Sequence, residues 1–123
     1  MTHLRAALEA ARRCTAQAAG ATFYLQLPTD HAWRVTLERH RDADGRLLEA
    51  RAFRALVESS VTGWEEVTAA LFMPEGDAEP LAFSAEALAL LLEHRQDITD
   101  ALTLTLGAAV AERRKAREQL AKN

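Results

Sequence analysis

At the start of the chain, apolar and small residues recur at i, i+3, i+4 spacing: Leu4, Ala7, Leu8, Ala11, Cys14, Thr15 and Ala18, with Arg5, Glu9, Arg12 and Arg13 elsewhere on the wheel. The spacing predicts a first helix, closed by Gly20. The period then changes to two. Phe23, Leu25 and Leu27 alternate with Thr22, Tyr24 and Gln26, and beyond the turn residues Pro28, Thr29 and Asp30, Trp33, Val35 and Leu37 alternate with Arg34, Thr36 and Glu38. This predicts an antiparallel pair of strands with one buried face. Two strands are marginal in water, so the pair must rest on helices or on another copy of the chain. Asp42 to Gly45 then supplies turn chemistry that ends the second strand.

From Leu47 the helical period returns. Phe53, Leu56, Val57, Ser60, Val61 and Trp64 share one face, and the helix is expected to loosen at Gly63, where glycine costs about 1 kcal/mol relative to alanine. Met73 to Pro80 holds two prolines, one glycine and three acids, the composition of a surface loop. Ser84 follows as an N-cap, with Glu86 in the first turn, Phe83 placed to staple onto Leu88, and Leu88, Leu91 and Leu92 as the buried stripe. Asp97 is positioned to cap a last helix carrying Ile98, Ala101, Leu102, Thr105, Leu106, Ala109 and Val110, although the alternation from Leu102 to Leu106 also fits a strand. The expected fold class is α+β: a small antiparallel sheet, a β-hairpin, packed with about four helices. One domain spans residues 1–123, and 81–123 forms its helical C-terminal part.

Composition narrows the classes. Of 123 residues, 49% are hydrophobic and 27% charged, enough to build a core, which excludes a disordered polar tail. No stretch approaches the roughly 18 apolar residues that a bilayer span needs, and Arg5, Arg12 and Arg13 are spread through the first segment instead of preceding an apolar run. Cys14, the single cysteine, cannot pair within the chain and offers no metal-ligand spacing, so a reducing cytoplasm is the expected compartment. Charge is unevenly placed: residues 1–60 carry +2, 61–100 carry −8 and 101–123 carry +3. An acidic middle argues against a nucleic-acid groove, which needs a basic stripe over one face. Arg113, Arg114, Lys115 and Arg117 fit the end of a helix, where cations complement the dipole.

The groups an enzyme needs are missing or poorly placed. His3, His31, His40 and His94 lie on separate elements without the i, i+4 spacing of a helical metal pair. Cys14 reads as a small hydrophobe. Glu65 and Glu66 are adjacent in sequence, so their side chains diverge, and no glycine-rich phosphate loop or serine elbow exists. The expectation is a non-enzymatic protein with no cofactor and no metal.

One longer pattern carries a functional implication. Val61, Thr62, Gly63, Trp64, Glu65, Glu66, Val67, followed by Glu79, Pro80, Leu81, Ala82, Phe83, Ser84, Ala85, Glu86, Ala87, Leu88, Leu91 and Leu92, resembles the tail assembly chaperones of long-tailed (siphovirus-type) phages and prophages. Their pattern is similar to V-x-x-W-x-G-V, a turn, then P-x-P-F-S-x-E-x-L-x-x-L-L and a closing helix. The likeness covers Val57 to Asn123. It departs at Glu66, where a glycine is usual, at Ala82, where a proline is usual, and in the longer connection from Thr68 to Asp77.

The resemblance implies a non-structural protein of the host-cell cytoplasm, absent from the finished virion. Its partner is the long, helical tape measure protein, kept soluble until tail tube subunits polymerise around it, with a longer frameshifted product recruiting the tube protein. Lys122 and Asn123 are compatible with the codons AAA AAC of a slippery heptamer, as expected of the unshifted short product. Such a chaperone needs apolar surface rimmed with charge and many copies. Trp33, Phe53, Trp64 and Phe83 are the candidate partner contacts, since aromatic anchors concentrate binding energy. A leftover strand edge leads to the expectation of a homo-oligomer. Two other readings are a structural tail component, such as a completion or connector subunit, and a small DNA-binding regulator using the basic C-terminal helix.

Overall fold

The computed structural model describes residues 2–122; Asn123, invoked above for the slippery heptamer, lies outside them. The chain runs α1 (Thr2–Ala11), β1 (Arg13–Ala18), β2 (Ala21–Gln26), α2 (Asp30–Arg39), α3 (Glu49–Ser60), β3 (Val61–Glu65), α4 (Ala69–Phe72), α5 (Ala85–His94) and α6 (Gln96–Lys122). The fold is α+β: a three-stranded antiparallel sheet in the order β1-β2-β3, packed with six helices in one small domain. The strands and helices outnumber the expected hairpin and four helices, and two of the expected elements change type.

The first change is at the start. The predicted helix through Ala18 stops at Ala11, and Arg13 to Ala18 form a strand paired with β2 from Arg13 opposite Gln26 to Ala18 opposite Ala21. Ala19 (φ 51°) and Gly20 (φ 80°) make the two-residue connection, with the positive φ values that match the twist of a tight hairpin. Cys14, Ala16 and Ala18 also read at period two against Arg13, Thr15 and Gln17. Pairing decides between the periods: β1 supplies ladder hydrogen bonds to one edge of β2, and Ala16 joins Ala21, Phe23 and Leu25 among the buried residues. Arg12 fixes the entry, its carbonyl accepting from Leu27 N–H at 2.7 Å and its Nη1 donating to Leu27 O at 2.6 Å.

The second change is at 30–39, predicted as a strand and found as α2. Pro28 and Thr29 begin a helix instead of a hairpin: Thr29 Oγ1 accepts from Ala32 N–H at 3.0 Å, and Asp30 lies in the first turn. Trp33 and Leu37, one turn apart, pack against the core cluster. As a helix the segment turns these two residues toward α3 and the core, and among the described residues the outer edges of β1 and β3 are left without a strand partner in the sheet.

Strand β3 was expected as the end of the preceding helix. That helix, α3, stops at Ser60; Val61 and Thr62 are β-branched and Gly63 is a poor helix former, while the open edge of β2 supplies ladder hydrogen bonds. The register places Phe23 opposite Trp64 and Tyr24 opposite Gly63, with an irregularity between Tyr24 and Leu25. Trp64 is thereby turned onto the inner face beside Phe23, ring centroids 6.2 Å apart and nearly perpendicular.

The second half follows the sequence closely. Ser84 Oγ accepts from Ala87 N–H at 3.0 Å, capping α5 as expected, and Leu88, Leu91 and Leu92 are buried. The last helix begins at Gln96, one residue before Asp97, and the 102–106 stretch is helical, with Ile98, Leu102, Leu106 and Val110 buried. The 73–80 loop is preceded by the short α4 and folds back on it, Ala70 N–H donating to Asp77 O at 3.1 Å. Gly76 passes so close to Ala69 that an added Cβ would meet its carbonyl group at 2.4 Å. The core is one cluster, from Ala16, Phe23 and Leu25 of the sheet through Leu56 and Val57 of α3 to Leu102 and Leu106 of α6.

Glu66, immediately after β3, has φ 63°, a left-handed conformation that costs a side-chain-bearing residue roughly 1–2 kcal/mol. Glu66→Gly is therefore expected to raise stability by about 0.5–1 kcal/mol in chemical denaturation, the gain being limited by the glycine's freedom in the unfolded chain. Lower stability in that variant would show that the Glu66 side chain offsets the strain.

Candidate partner-binding surface

The four aromatic candidates fall into two pairs. Trp64 and Phe83 lie edge to face with centroids 5.1 Å apart, and Trp33 and Phe53 do the same at 6.1 Å. The first pair closes the motif on itself, with Trp64 buried and Phe83 half-buried. Trp64 is only 9% exposed; its Nε1 donates to Leu81 O at 2.8 Å, and Leu81 N–H donates to Val67 O at 2.8 Å. Thr68 and Pro80 pair as a bridge beneath them. The two stretches of the motif, 61–67 and 80–92, thus close on each other, and Trp64 and Phe83 fasten the base of the acidic loop. Phe83 finds its ring partner in Trp64, which the staple reading from sequence did not anticipate.

The second pair is accessible. Trp33 on α2 and Phe53 on α3 are both half-buried, and the Arg114 guanidinium of α6 lies over the Trp33 ring at 5.4 Å from its centroid. Phe53 also lines an open groove of about 500 Å³ between α3 and the first half of α6, whose other walls include Glu49, Arg54, Leu92, Thr99 and Thr103. Arg54 braces it, with Nε donating to Glu58 (3.1 Å), Nη1 to Glu93 (3.0 Å) and Nη2 to Ala89 O (3.2 Å). Apolar floor from Phe53 and Leu92 with a charged rim is the lining that an amphipathic helix complements.

A further apolar surface was not anticipated from sequence. The stripe of α1 was expected to be covered, yet His3 to Ala11 are all exposed, with Leu4 54% and Leu8 53% open to solvent. At the other terminus α6 leaves the core after Val110 and continues for twelve more residues, roughly 18 Å, ending beyond Leu120, which is 76% exposed.

Chemistry-bearing groups do not converge. Among the described residues no three His, Cys, Asp or Glu side chains are placed to hold a metal ion. Cys14 lies half-buried on the inner side of β1 against the core, and burial pushes its thiol pKa up. Among the described residues no helix is long and apolar enough to cross a membrane. Compared with protein families, characterised proteins and solved structures, the chain matches none.

The N-terminal end of the groove is fixed by Arg95, whose Nε and Nη2 donate to the two carboxylate oxygens of Asp97 (2.8 and 2.7 Å) while Nη1 donates to Leu71 O at 2.9 Å. The Arg95 fork holds the Asp97 carboxyl down at about 2. Because the folded value lies below the unfolded one, the stabilisation is present above about pH 4 and is lost as pH falls through about 2. A carboxyl-detected NMR titration is expected to give Asp97 a midpoint near 2, returning toward about 3.9 in Arg95→Gln. A normal midpoint in the parent chain would mean the fork does not persist in solution.

Proposed function

We propose that this chain is a non-enzymatic tail assembly chaperone of a long-tailed phage or prophage, binding the tape measure protein before the tail tube assembles on it. The observation that carries the reading is the closure of the motif. Residues shared with the chaperone pattern, Val61 to Val67 and Pro80 to Leu92, pack into one unit through Trp64, Leu81 and Phe83. Where that pattern has a glycine, Glu66 adopts the positive φ that glycine takes most easily. The spacing of the pattern thus has a physical basis here, including at a position where the residue itself departs.

The surface suits a helical client. The Trp33–Phe53 pair, the groove beside it and the open stripe of α1 present apolar area with arginine and acid at the margins. A long amphipathic helix buries one such stripe on each copy that it meets, so weak sites summed along the client give strong retention. Trp33 and Phe53 are the contacts assigned here to the client, while Trp64 and Phe83 hold the loop. The DNA-binding reading finds little support, because residues 61–100 carry −8 and the basic residues are confined to one end of α6, without a basic stripe over a face of the fold.

Co-expression with the tape measure protein of the same genome is expected to keep that client soluble and to co-purify it. Trp33→Ala combined with Phe53→Ala is expected to reduce recovery of the client at least about tenfold, the loss of roughly 1.4 kcal/mol or more at a hot spot, with the chain itself still folded by circular dichroism. An insoluble client beside free, folded chain would refute the chaperone reading. Detection of the chain in purified particles would instead make it a tail component.

A further inference from the structure

Charge on this molecule is separated along α6. At the N-terminal end of that helix, Arg95 Nη1 holds Leu71 O of α4, and the loop that follows carries Glu75, Asp77 and Glu79, all exposed. Leu81 N–H to Val67 O ties the same loop to the end of β3, where Glu65 and Glu66 are also exposed. The sequence holds no lysine or arginine between Arg54 and Arg95, and among the described residues none of these five acids takes part in an ion pair.

The opposite end is basic. Arg12, Arg113, Arg114 and Arg117 line a recess of about 40 Å³ with Leu27, Thr29, Asp30 and Val110. Three of them are held by single hydrogen bonds: Arg12 Nη1 to Leu27 O (2.6 Å), Arg113 Nη1 to Ala11 O (2.7 Å) and Arg117 Nη1 to Asp30 Oδ2 (2.5 Å). Arg114 is held by the face of Trp33. Each guanidinium carries five N–H donors, so a set already fixed in place still offers most of its donors to an incoming carboxylate. Four arginines surround one carboxylate, Asp30, leaving the recess strongly positive.

The two patches cannot neutralise each other within one molecule, since Arg95 and Arg113 are separated by some 18 residues of helix, roughly 27 Å. They are complementary between molecules. We propose that the chain self-associates head to tail, the acidic loop of one copy seating its Glu75 and Glu79 carboxylates in the arginine recess of the next. The contact joins two different patches, so each bound copy leaves one patch of each kind free, and association continues past a dimer or closes into a ring. This assignment stands apart from the chaperone reading and survives its failure.

Sedimentation velocity on the isolated chain tests it. At about 50 mM salt the weight-average mass is expected to rise with concentration past that of a dimer, and at about 500 mM to fall to the monomer, where the Debye length is under half as long. Arg114→Glu with Arg117→Glu, and separately Glu75→Lys with Glu79→Lys, are each expected to remain monomeric at low salt. Mixed in equal amounts they restore association, because each reversed patch now meets a reversed partner. The loop variant leaves the Arg117–Asp30 pair intact and so reports on docking even if the helix variant is unstable. A parent chain that stays monomeric at low salt, association unaffected by either reversal, or a mixture of folded variants that stays monomeric would overturn the proposal. Reversed variants that associate like the parent but lose an acidic client would reassign the recess to that client.

Discussion

The indole of Trp64 joins three parts of the molecule that are remote in sequence. Its ring sits between Phe23 of the central strand and Phe83 at the entrance to α5, and its N–H satisfies Leu81 O across the mouth of the acidic loop. A tryptophan suits this place because it supplies a large apolar body and one donor. With that contact made, β3 is held on the sheet, the loop is closed at its base, and the capped helix α5 starts at a set position. The long helix α6 then lies against α3, α5 and β1.

Around this centre, arginine provides most of the long-range polar ties. Arg12 joins the hairpin entry to Leu27, Arg54 joins α3 to α5, Arg95 joins the start of α6 to α4, and Arg113 joins its later part to α1. Each reaches a backbone carbonyl that is distant in sequence, and Arg54 and Arg95 use several guanidinium donors at once. The acids are distributed differently: five of the eighteen stand in the loop and at the end of β3, and none of these five forms an ion pair among the described residues. The outcome is a molecule with a basic end, an acidic end and apolar surface along α1 and beside Phe53, all features that point outward to other chains.

The second half of the fold was legible because its signals are local. Ser84 caps through a hydrogen bond three residues away, the leucines of α5 repeat at helical spacing, and the prolines and glycine of 73–80 exclude regular structure. The first half was not. Segments 13–18 and 33–38 satisfy both the helical and the strand period, as small residues and short alternations do, and nothing within either segment separates the two. The answer lies in what each segment packs against. Ala19 and Gly20 turn β1 back along one edge of β2 and β3 occupies the other, while 30–39 takes the helix that Thr29 caps and packs on α3.

The candidate surface divides in the same way. Sequence alone determined the class of the protein, the uneven charge, the aromatic residues worth examining and the motif that suggests a chaperone, because composition, spacing and side-chain chemistry are properties of the chain. Tertiary structure alone decided that Trp64 is buried with Phe83 packed on its ring, that Trp33 and Phe53 share an accessible corner under Arg114, and that the stripe of α1 is left open. Burial is a relation between elements remote in sequence, and an apolar face reads identically whether or not another element arrives to cover it.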